Sequence, residues 1–303
     1  MSFELTILGS NSALPTSNRY PTAQVLEVPG RCFLIDCGEG TQIQLRRNKI
    51  SFSSIQHIFI SHLHGDHYYG LIGLISTMNL MGIKGELHIY AHSELKNLIQ
   101  PQLDQIRGEL TVQPVFHPLN FKKPQTIFES RTVEVISFPV RHSLPTCGFL
   151  FREKQKPANI RKEMISMYDI PIAKIKEIKE GADFESANGT VVPNSELTIP
   201  PPHPTSYAFC TDTAFHPPIA EIIQGVDVLY HESTFLEELK ELAAKTLHST
   251  AKEAAEMAIL AGAKKLIIGH FSARFKKTDR FLEEAKQVFD NTEVAIEGKT
   301  FQI

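Results

Sequence analysis

The chain has 303 residues, of which 42% are hydrophobic and 21% are charged. These values are typical of folded globular proteins, and they exclude a small disulfide-stabilised domain and an intrinsically disordered chain. With 31 Lys and Arg against 34 Asp and Glu, the formal net charge is −3, which excludes a uniformly basic nucleic-acid-binding protein but permits a local basic surface.

Strand and helix patterns alternate along the first half of the chain. Short apolar runs bounded by turn residues predict strands at residues 3–8, 23–28, 31–35, 57–60 and 86–90. Helical patterns cover 40–47 and 68–81, and in the longer one Leu71, Leu74, Ile75 and Met78 fall on one face. This alternation predicts an α/β fold.

The second half repeats this pattern after a segment of different composition. Strands are predicted at 132–138, 148–152, 206–211, 226–231, 265–269 and 293–296, and helices near 251–261 and 281–289. We therefore expect a single domain over 1–303, built from two similar α/β halves. Residues 153–203 interrupt it, are rich in lysine and end in three consecutive prolines; on composition alone they favour a solvent-exposed excursion.

Four cysteines, Cys32, Cys37, Cys147 and Cys210, are scattered without paired spacing, which indicates a reducing compartment. The N-terminus lacks the basic start of a signal peptide, and polar residues break the longest apolar stretch. These features predict a cytoplasmic protein without a membrane partner.

The residues that indicate chemistry begin directly after the predicted strand at 57–60, where the sequence reads HLHGDH. His62 and His64, two residues apart, can point the same way from an extended segment, whereas Asp66 and His67 turn elsewhere as the next helix begins. The segment therefore offers two pairs of ligands to two metal ions. Four such groups at one strand end are costly to bury without a metal ion, so metal binding is favoured over a structural role.

Three further ligand candidates, His142, Asp212 and His270, each follow a predicted strand. Singly, each would more often be a turn or capping residue, but strand ends are where α/β proteins build their sites. Nitrogen and carboxylate ligands without a thiolate fit zinc in a hydrolytic site, with manganese or iron as alternatives.

This ligand pattern resembles that of the metallo-β-lactamase superfamily, whose fold is a four-layer αβ/βα sandwich. Four further segments, DCGEGT at 36–41, HEST at 231–234, HST at 248–250 and GHFSARF at 269–275, narrow the resemblance to the ribonuclease Z family, the short-form tRNA 3′-processing endonucleases. The resemblance covers nearly the whole chain. It implies the superfamily's fold and the hydrolytic removal of the 3′ trailer from precursor tRNA, which leaves a 3′-hydroxyl.

The resemblance also implies a ligand set for two zinc ions. One ion would be held by His62, His64 and His142, the other by Asp66, His67 and His270, with Asp212 bridging them. Two such cations bind a phosphodiester, lower the pKa of a bound water and offset the charge that develops on the phosphoryl oxygens.

Catalytic and supporting roles follow from the same resemblance. His248 would protonate the leaving 3′-oxygen, because imidazole donates protons near neutral pH, Glu232 would orient His248, and Asp66 would also hold the attacking water. Asp36 would fix a ligand histidine by a hydrogen bond, and His231 would support the site from behind. The residues implied to contact substrate phosphates are Arg274, Ser272 and Arg19.

The implied partners are precursor tRNA and a second copy of the chain in a homodimer. Residues 153–203 would be an inserted arm that grips the tRNA body, with lysines that bind phosphates in a salt-sensitive way. Arms of short-form enzymes usually carry a Gly-Pro-rich tip, and the sequence IPIAK at 170–174 lacks that glycine. Two alternatives are a phosphodiesterase of small substrates on the same fold and a metal-containing protein that binds RNA without cutting it.

Overall fold

The computed structural model describes residues 3–106 and 110–303, and the chain divides into two compact units. The larger unit comprises Met1–Arg152 and Thr205–Ile303, and the smaller one comprises Glu153–Pro204. Within the described ranges, no helix is both long and apolar enough to cross a membrane.

Over residues 3–106 and 110–153, the structure has nine strands and four α-helices. The strands are β1 (Glu4–Gly9), β2 (Ala23–Val28), β3 (Arg31–Ile35), β4 (Ile55–Phe59), β5 (Gly85–Ala91), β6 (Val112–Pro118), β7 (Gln125–Glu129), β8 (Val133–Pro139) and β9 (Cys147–Glu153). The helices are α1 (Thr41–Arg47), α2 (Gly65–Tyr68), α3 (Gly70–Leu80) and α4 (Glu94–Leu103).

The smaller unit has its own apolar core. Its elements are β10 (Asn159–Ile160), α5 (Lys162–Met167), α6 (Ile172–Lys179), β11 (Phe184–Glu185), β12 (Val191–Val192), α7 (Asn194–Leu197) and β13 (Thr198–Ile199). Ile170, Ile178, Phe184, Val192 and Leu197 are buried together. The segment is therefore a folded unit with two short ladders, β10 with β13 and β11 with β12.

The chain then returns to the larger unit. The remaining elements are β14 (Ser206–Cys210), α8 (Ile219–Ile222), β15 (Val228–Glu232), α9 (Lys240–Thr246), α10 (Ala251–Leu260), β16 (Lys265–Gly269), α11 (Asp279–Lys286), β17 (Thr292–Val294) and β18 (Thr300–Gln302). One seven-stranded sheet has the order β18-β1-β2-β3-β4-β5-β6, and the other has the order β17-β16-β15-β14-β9-β8-β7.

The two sheets pack face to face, and helices cover their outer faces. In β3, Phe33 and Ile35 belong to the buried cluster between the sheets, whereas Leu34 belongs to the cluster beneath α1, α3 and α4. In β14, Phe209 faces the other sheet and Ala208 faces the cluster of α8, α10 and α11. Burial on both faces explains why these strands are continuous apolar runs, and the four layers match the predicted αβ/βα sandwich.

The central strands and the edge strand β17 were predicted to within about three residues, whereas the edge strands β6, β7 and β18 were missed. β6 contains Pro114, which the sequence patterns penalise, but β6 is the last strand of its sheet, where a missing N–H is tolerated. The described chain also contains α4, which was not predicted and has Pro101 within it.

The topology brings the carboxyl ends of β3 and β4 in one sheet, and of β14, β15 and β16 in the other, to the same end of the sandwich. Both groups of strands run parallel within their sheets. The chain segments that leave these strand ends carry the predicted site residues.

Candidate active site

The first set of ligand atoms comes from the loops after β4, β8 and β14. His62 Nε2 lies 2.9 Å from His64 Nδ1, and His142 Nε2 lies 3.2 Å from the same nitrogen. Asp212 places Oδ2 at 3.4 Å from His62 Nε2 and 3.6 Å from His142 Nε2. One ligand atom from each of these four residues lies within 4.8 Å of the others.

The second set lies on the other side of the same aspartate. His67 Nε2 is 3.3 Å from Asp66 Oδ2, and His270 Nε2 is 3.5 Å from that oxygen. Asp212 Oδ1 lies 3.3 Å from His67 Nε2 and 3.1 Å from His270 Nε2. Asp212 therefore presents one carboxylate oxygen to each set.

The donor atoms fit divalent metal ions. Zinc–nitrogen bonds of about 2.1 Å with tetrahedral angles place neighbouring ligand atoms roughly 3.4 Å apart, close to the spacings in both sets. The Nε2 atoms of His67 and His270 are buried and, among the described residues, have no hydrogen-bond partner. Since a buried polar atom without a partner is costly, these two nitrogens fit a role as metal ligands.

The electrostatics of the site favour a cation as well. Burial lowers the pKa of His62, His64 and His142, which keeps these imidazoles neutral, as metal ligands must be. Burial also lowers the pKa of His67, but the negative charges of Asp212, Asp66 and Asp36 outweigh it and raise that pKa well above its ordinary value. The carboxylates thus concentrate negative charge where the two sets meet.

Oxygen atoms behind the two sets fix one imidazole of each, His62 in the first and His67 in the second. His67 Nδ1 donates to Asp36 Oδ2 at 2.7 Å, and Ser61 donates to both carboxylate oxygens of Asp36, from its N–H at 2.7 Å and from its hydroxyl at 2.9 Å. The Ser61 hydroxyl in turn lies 3.0 Å from His62 Nδ1 and can accept its proton. With Nδ1 engaged in both residues, Nε2 is left for a metal ion.

A second network surrounds Glu232, which ends β15. Its Oε1 accepts from His248 Nδ1 at 2.7 Å, and its Oε2 accepts from the Thr234 hydroxyl at 2.6 Å. The same hydroxyl lies 3.0 Å from His270 Nδ1. Burial lowers the pKa of His248, but the charge of Glu232 and the hydrogen bond between His248 and Glu232 outweigh it and raise the pKa to about 9. His248 also lies within ligand distance of Asp212 and His270, in a third overlapping group.

Backbone conformation at the strand ends turns these side chains inward. Asp36 and His270 each follow a strand directly, and Asp212 lies two residues after β14; their φ values are 55°, 61° and 48°. Leu247 has a φ of 58°, and its carbonyl accepts from His142 Nδ1 at 3.0 Å. Such positive φ values are uncommon outside glycine and concentrate at functional sites.

The two ligand sets open into a cavity of about 910 Å³. Ser272 and the exposed Arg274 line it, and their contact with substrate phosphates stays a prediction. Arg19 does not line it and instead donates to the backbone carbonyls of Phe275, at 2.7 Å, and Ser272, at 3.4 Å. These contacts fit a role in holding the loop at 272–275 better than a direct phosphate contact.

Similarity to known proteins decides the family. A protein named ribonuclease Z from Phocaeicola vulgatus is 47% identical over 295 residues, which cover 97% of this chain and 96% of that protein. The chain belongs to the ribonuclease Z family. The family predicted from the sequence is thereby confirmed, and the similarity covers nearly the whole chain.

Solved structures show the fold. Human tRNase Z, short form, superimposes with a TM-score of 0.71 at 24% identity, covering 98% of each chain. A metallo-β-lactamase-fold protein from Bacillus subtilis gives a TM-score of 0.68 at 17% identity, covering 100% of each chain. The predicted metallo-β-lactamase fold is confirmed. Residues 3–159, about half of the chain, also match the family model described as Anti-Pycsar protein Apyc1.

Most residues that the ribonuclease Z resemblance implied lie together in the structure. His231 is buried in β15, donates from Nδ1 to the Glu232 carbonyl at 2.7 Å and, among the described residues, joins none of the ligand groups. Ser61 and Thr234 contact ligand histidines directly, but no role for either was predicted. Thr234 lies within the HEST segment, whereas nothing in the sequence distinguishes Ser61.

Proposed function

We propose that this protein is a metal-dependent endoribonuclease that removes the 3′ trailer of precursor tRNA. It hydrolyses the phosphodiester bond between the tRNA and the trailer and leaves a 3′-hydroxyl on the tRNA. The observation that carries the proposal is Asp212, whose two carboxylate oxygens face two sets of ligand atoms in a chain of the ribonuclease Z family. The function named for the relatives requires such a site, and a phosphodiesterase of small substrates is not favoured.

We assign two zinc ions to the site, because its ligands are imidazole nitrogens and carboxylate oxygens without a thiolate. His62, His64, His142 and one Asp212 oxygen would hold the first, and Asp66, His67, His270 and the other Asp212 oxygen the second. Bound there, divalent ions would withdraw charge from the phosphodiester oxygens and acidify water.

The chain's own groups account for the proton transfers. Burial raises the pKa of Asp66, but the charge of His67 and the proximity of His270 outweigh it and lower the pKa. Asp66 is therefore an ionised acceptor that can orient attacking water. His248 holds a proton at the edge of the ligand sets, with Glu232 accepting from its other nitrogen, and can pass that proton to the leaving 3′-oxygen.

Cleavage of a 3′-extended tRNA precursor by the purified protein tests this function. We expect one cut next to the acceptor stem, a 3′-hydroxyl on the tRNA product, and loss of activity after treatment with a chelator that added zinc restores. Activity that survives complete metal removal, or products that end in a 3′-phosphate, would contradict the proposal.

We further propose that the smaller unit is the arm that grips the tRNA body. Its seven basic residues all lie between positions 154 and 179: Lys154, Lys156, Arg161, Lys162, Lys174, Lys176 and Lys179. Eight acidic residues are spread more widely: Glu153, Glu163, Asp169, Glu177, Glu180, Asp183, Glu185 and Glu196. Because the unit as a whole is not basic, we assign its phosphate contacts to the segment 154–179.

Deletion of the smaller unit is feasible because its two ends leave neighbouring strands. Arg152 in β9 pairs with Ser206 in β14, so a short Asn-Gly turn can replace residues 153–204. We expect precursor cleavage by this variant to fall by at least about tenfold, with the largest loss at low salt, where the lysine–phosphate contacts contribute most. Hydrolysis of a small aryl phosphodiester should be kept. Equal loss on both substrates would contradict a role in gripping tRNA.

The homodimer stays a prediction.

A further inference from the structure

Tyr69 presents a large aromatic surface to solvent beside the ligand sets. It lies between α2 and α3, and its residue surface is 65% exposed. It lines the same cavity as His64, Asp66 and His248. An exposed aromatic ring in a catalytic cavity is a feature that the mechanism above does not use.

The ring is nevertheless held in place. A Cβ atom at position 65 would lie only 2.5 Å from Cζ of Tyr69, so the ring packs directly on the Gly65 backbone, between the ligands His64 and Asp66. The Tyr68 ring contacts the Tyr69 ring in a T-shaped arrangement, with centroids 4.9 Å apart. Position 65 must therefore be glycine for this contact to exist, and the ring is pre-organised before any substrate binds.

A fixed, exposed aromatic face suits a nucleobase. Unpaired bases in RNA stack on aromatic side chains, and every base offers a suitable face. Leu14, which is 68% exposed, lines the cavity too, and Asn11 holds its loop by donating to the Leu14 carbonyl. Leu14 and Tyr69 thus add exposed apolar surface to the lining of the cavity.

The position of His248 indicates which nucleobase of the substrate lies against Tyr69. The leaving 3′-oxygen belongs to the nucleotide on the 5′ side of the cut, and that nucleotide must approach His248 to receive its proton. The His248 ring lies against the rings of His142 and His270, with centroids 5.0 and 5.5 Å away, whereas the Tyr69 ring packs on Gly65, between His64 and Asp66. The chain of the substrate therefore continues past the scissile phosphate towards Tyr69.

We propose, on the basis of the function proposed above, that Tyr69 stacks on the nucleobase immediately 3′ of the scissile phosphate, the first base of the trailer. Tyr69 is then a positioning residue for the reaction, because it sets how that nucleotide leaves the metal site. The stack makes cleavage depend on the presence of a base at this one position.

The test compares Tyr69→Ala, Tyr69→Leu and Tyr69→Phe on three precursors: an intact one, one abasic at the first trailer nucleotide, and one abasic on the 5′ side of the cut. We expect Tyr69→Ala and Tyr69→Leu to lower kcat/KM on the intact precursor by about 10- to 100-fold, and Tyr69→Phe to stay within about threefold of the original protein. On the precursor abasic at the first trailer nucleotide, all variants should cleave about as well as the original protein. Leu80→Ala, at an 87% exposed apolar residue at the end of α3, is the matched control and should change nothing.

Metal content and hydrolysis of a small aryl phosphodiester report on the integrity of the site. Tyr69→Leu keeps a bulky side chain against Gly65, so it separates loss of the ring from loss of packing. Losses that are as large on the 3′-abasic precursor as on the intact one, or that disappear only on the 5′-abasic precursor, would overturn the proposal. If the original protein does not cleave the precursor at all, the proposed function fails and not this inference alone.

Discussion

Asp212→Ala is expected to lower cleavage of precursor tRNA by more than about 10³-fold and to reduce the metal bound per chain. The reason is that Asp212 offers Oδ2 to His62 and His142 and Oδ1 to His67 and His270, so both ligand sets lose a member. Cleavage kinetics and elemental analysis of the purified variant measure the two effects.

Two variants control for this substitution. Asp212→Asn keeps the size of the side chain but removes its charge, and we expect it to lose most of the activity as well. Asp290→Ala removes an exposed carboxylate after α11 and should leave both readouts unchanged. Full activity and full metal content in Asp212→Ala would show that the carboxylate does not join the two sets.

His248→Ala is expected to slow precursor cleavage by about 10²- to 10⁴-fold, the range of a lost general acid. An aryl phosphodiester releases a phenolate that needs little protonation, so its hydrolysis should fall by less than about tenfold. Glu232→Gln should lower the rate of hydrolysis of both substrates by smaller factors than His248→Ala does, because Glu232 acts through His248 Nδ1.

Metal analysis separates two roles for His248. A proton donor can be removed without losing metal, whereas a ligand cannot, and His248 lies close enough to Asp212 and His270 to be either. Equal losses on the two substrates together with lost metal would contradict the general-acid role, and unchanged turnover would remove His248 from the mechanism.

The sequence predicted the site best where its residues are consecutive. The segment 62–67 indicated metal binding by spacing alone. His142, Asp212 and His270 were predicted as ligands only from their positions after strands and from the family resemblance. The Leu247 carbonyl, which fixes His142, could not be predicted, because a backbone acceptor in a left-handed conformation leaves no trace in residue types.

The fold was predictable where burial dominates the pattern. Strands buried on both faces, such as β3 and β14, are continuous apolar runs, but β6 was hidden by Pro114 at a sheet edge. The charge of residues 153–203 favoured an exposed excursion, yet its apolar residues, spaced between the charges, form a small core. Average composition does not reveal such spacing.

The central claim is that one aspartate joins two metal sites, and anomalous X-ray scattering at the zinc edge from crystals grown with zinc tests it most directly. The account predicts two peaks per chain, one among His62, His64 and His142 and one among Asp66, His67 and His270, with Asp212 in contact with both. A single peak, or peaks away from Asp212, would contradict it.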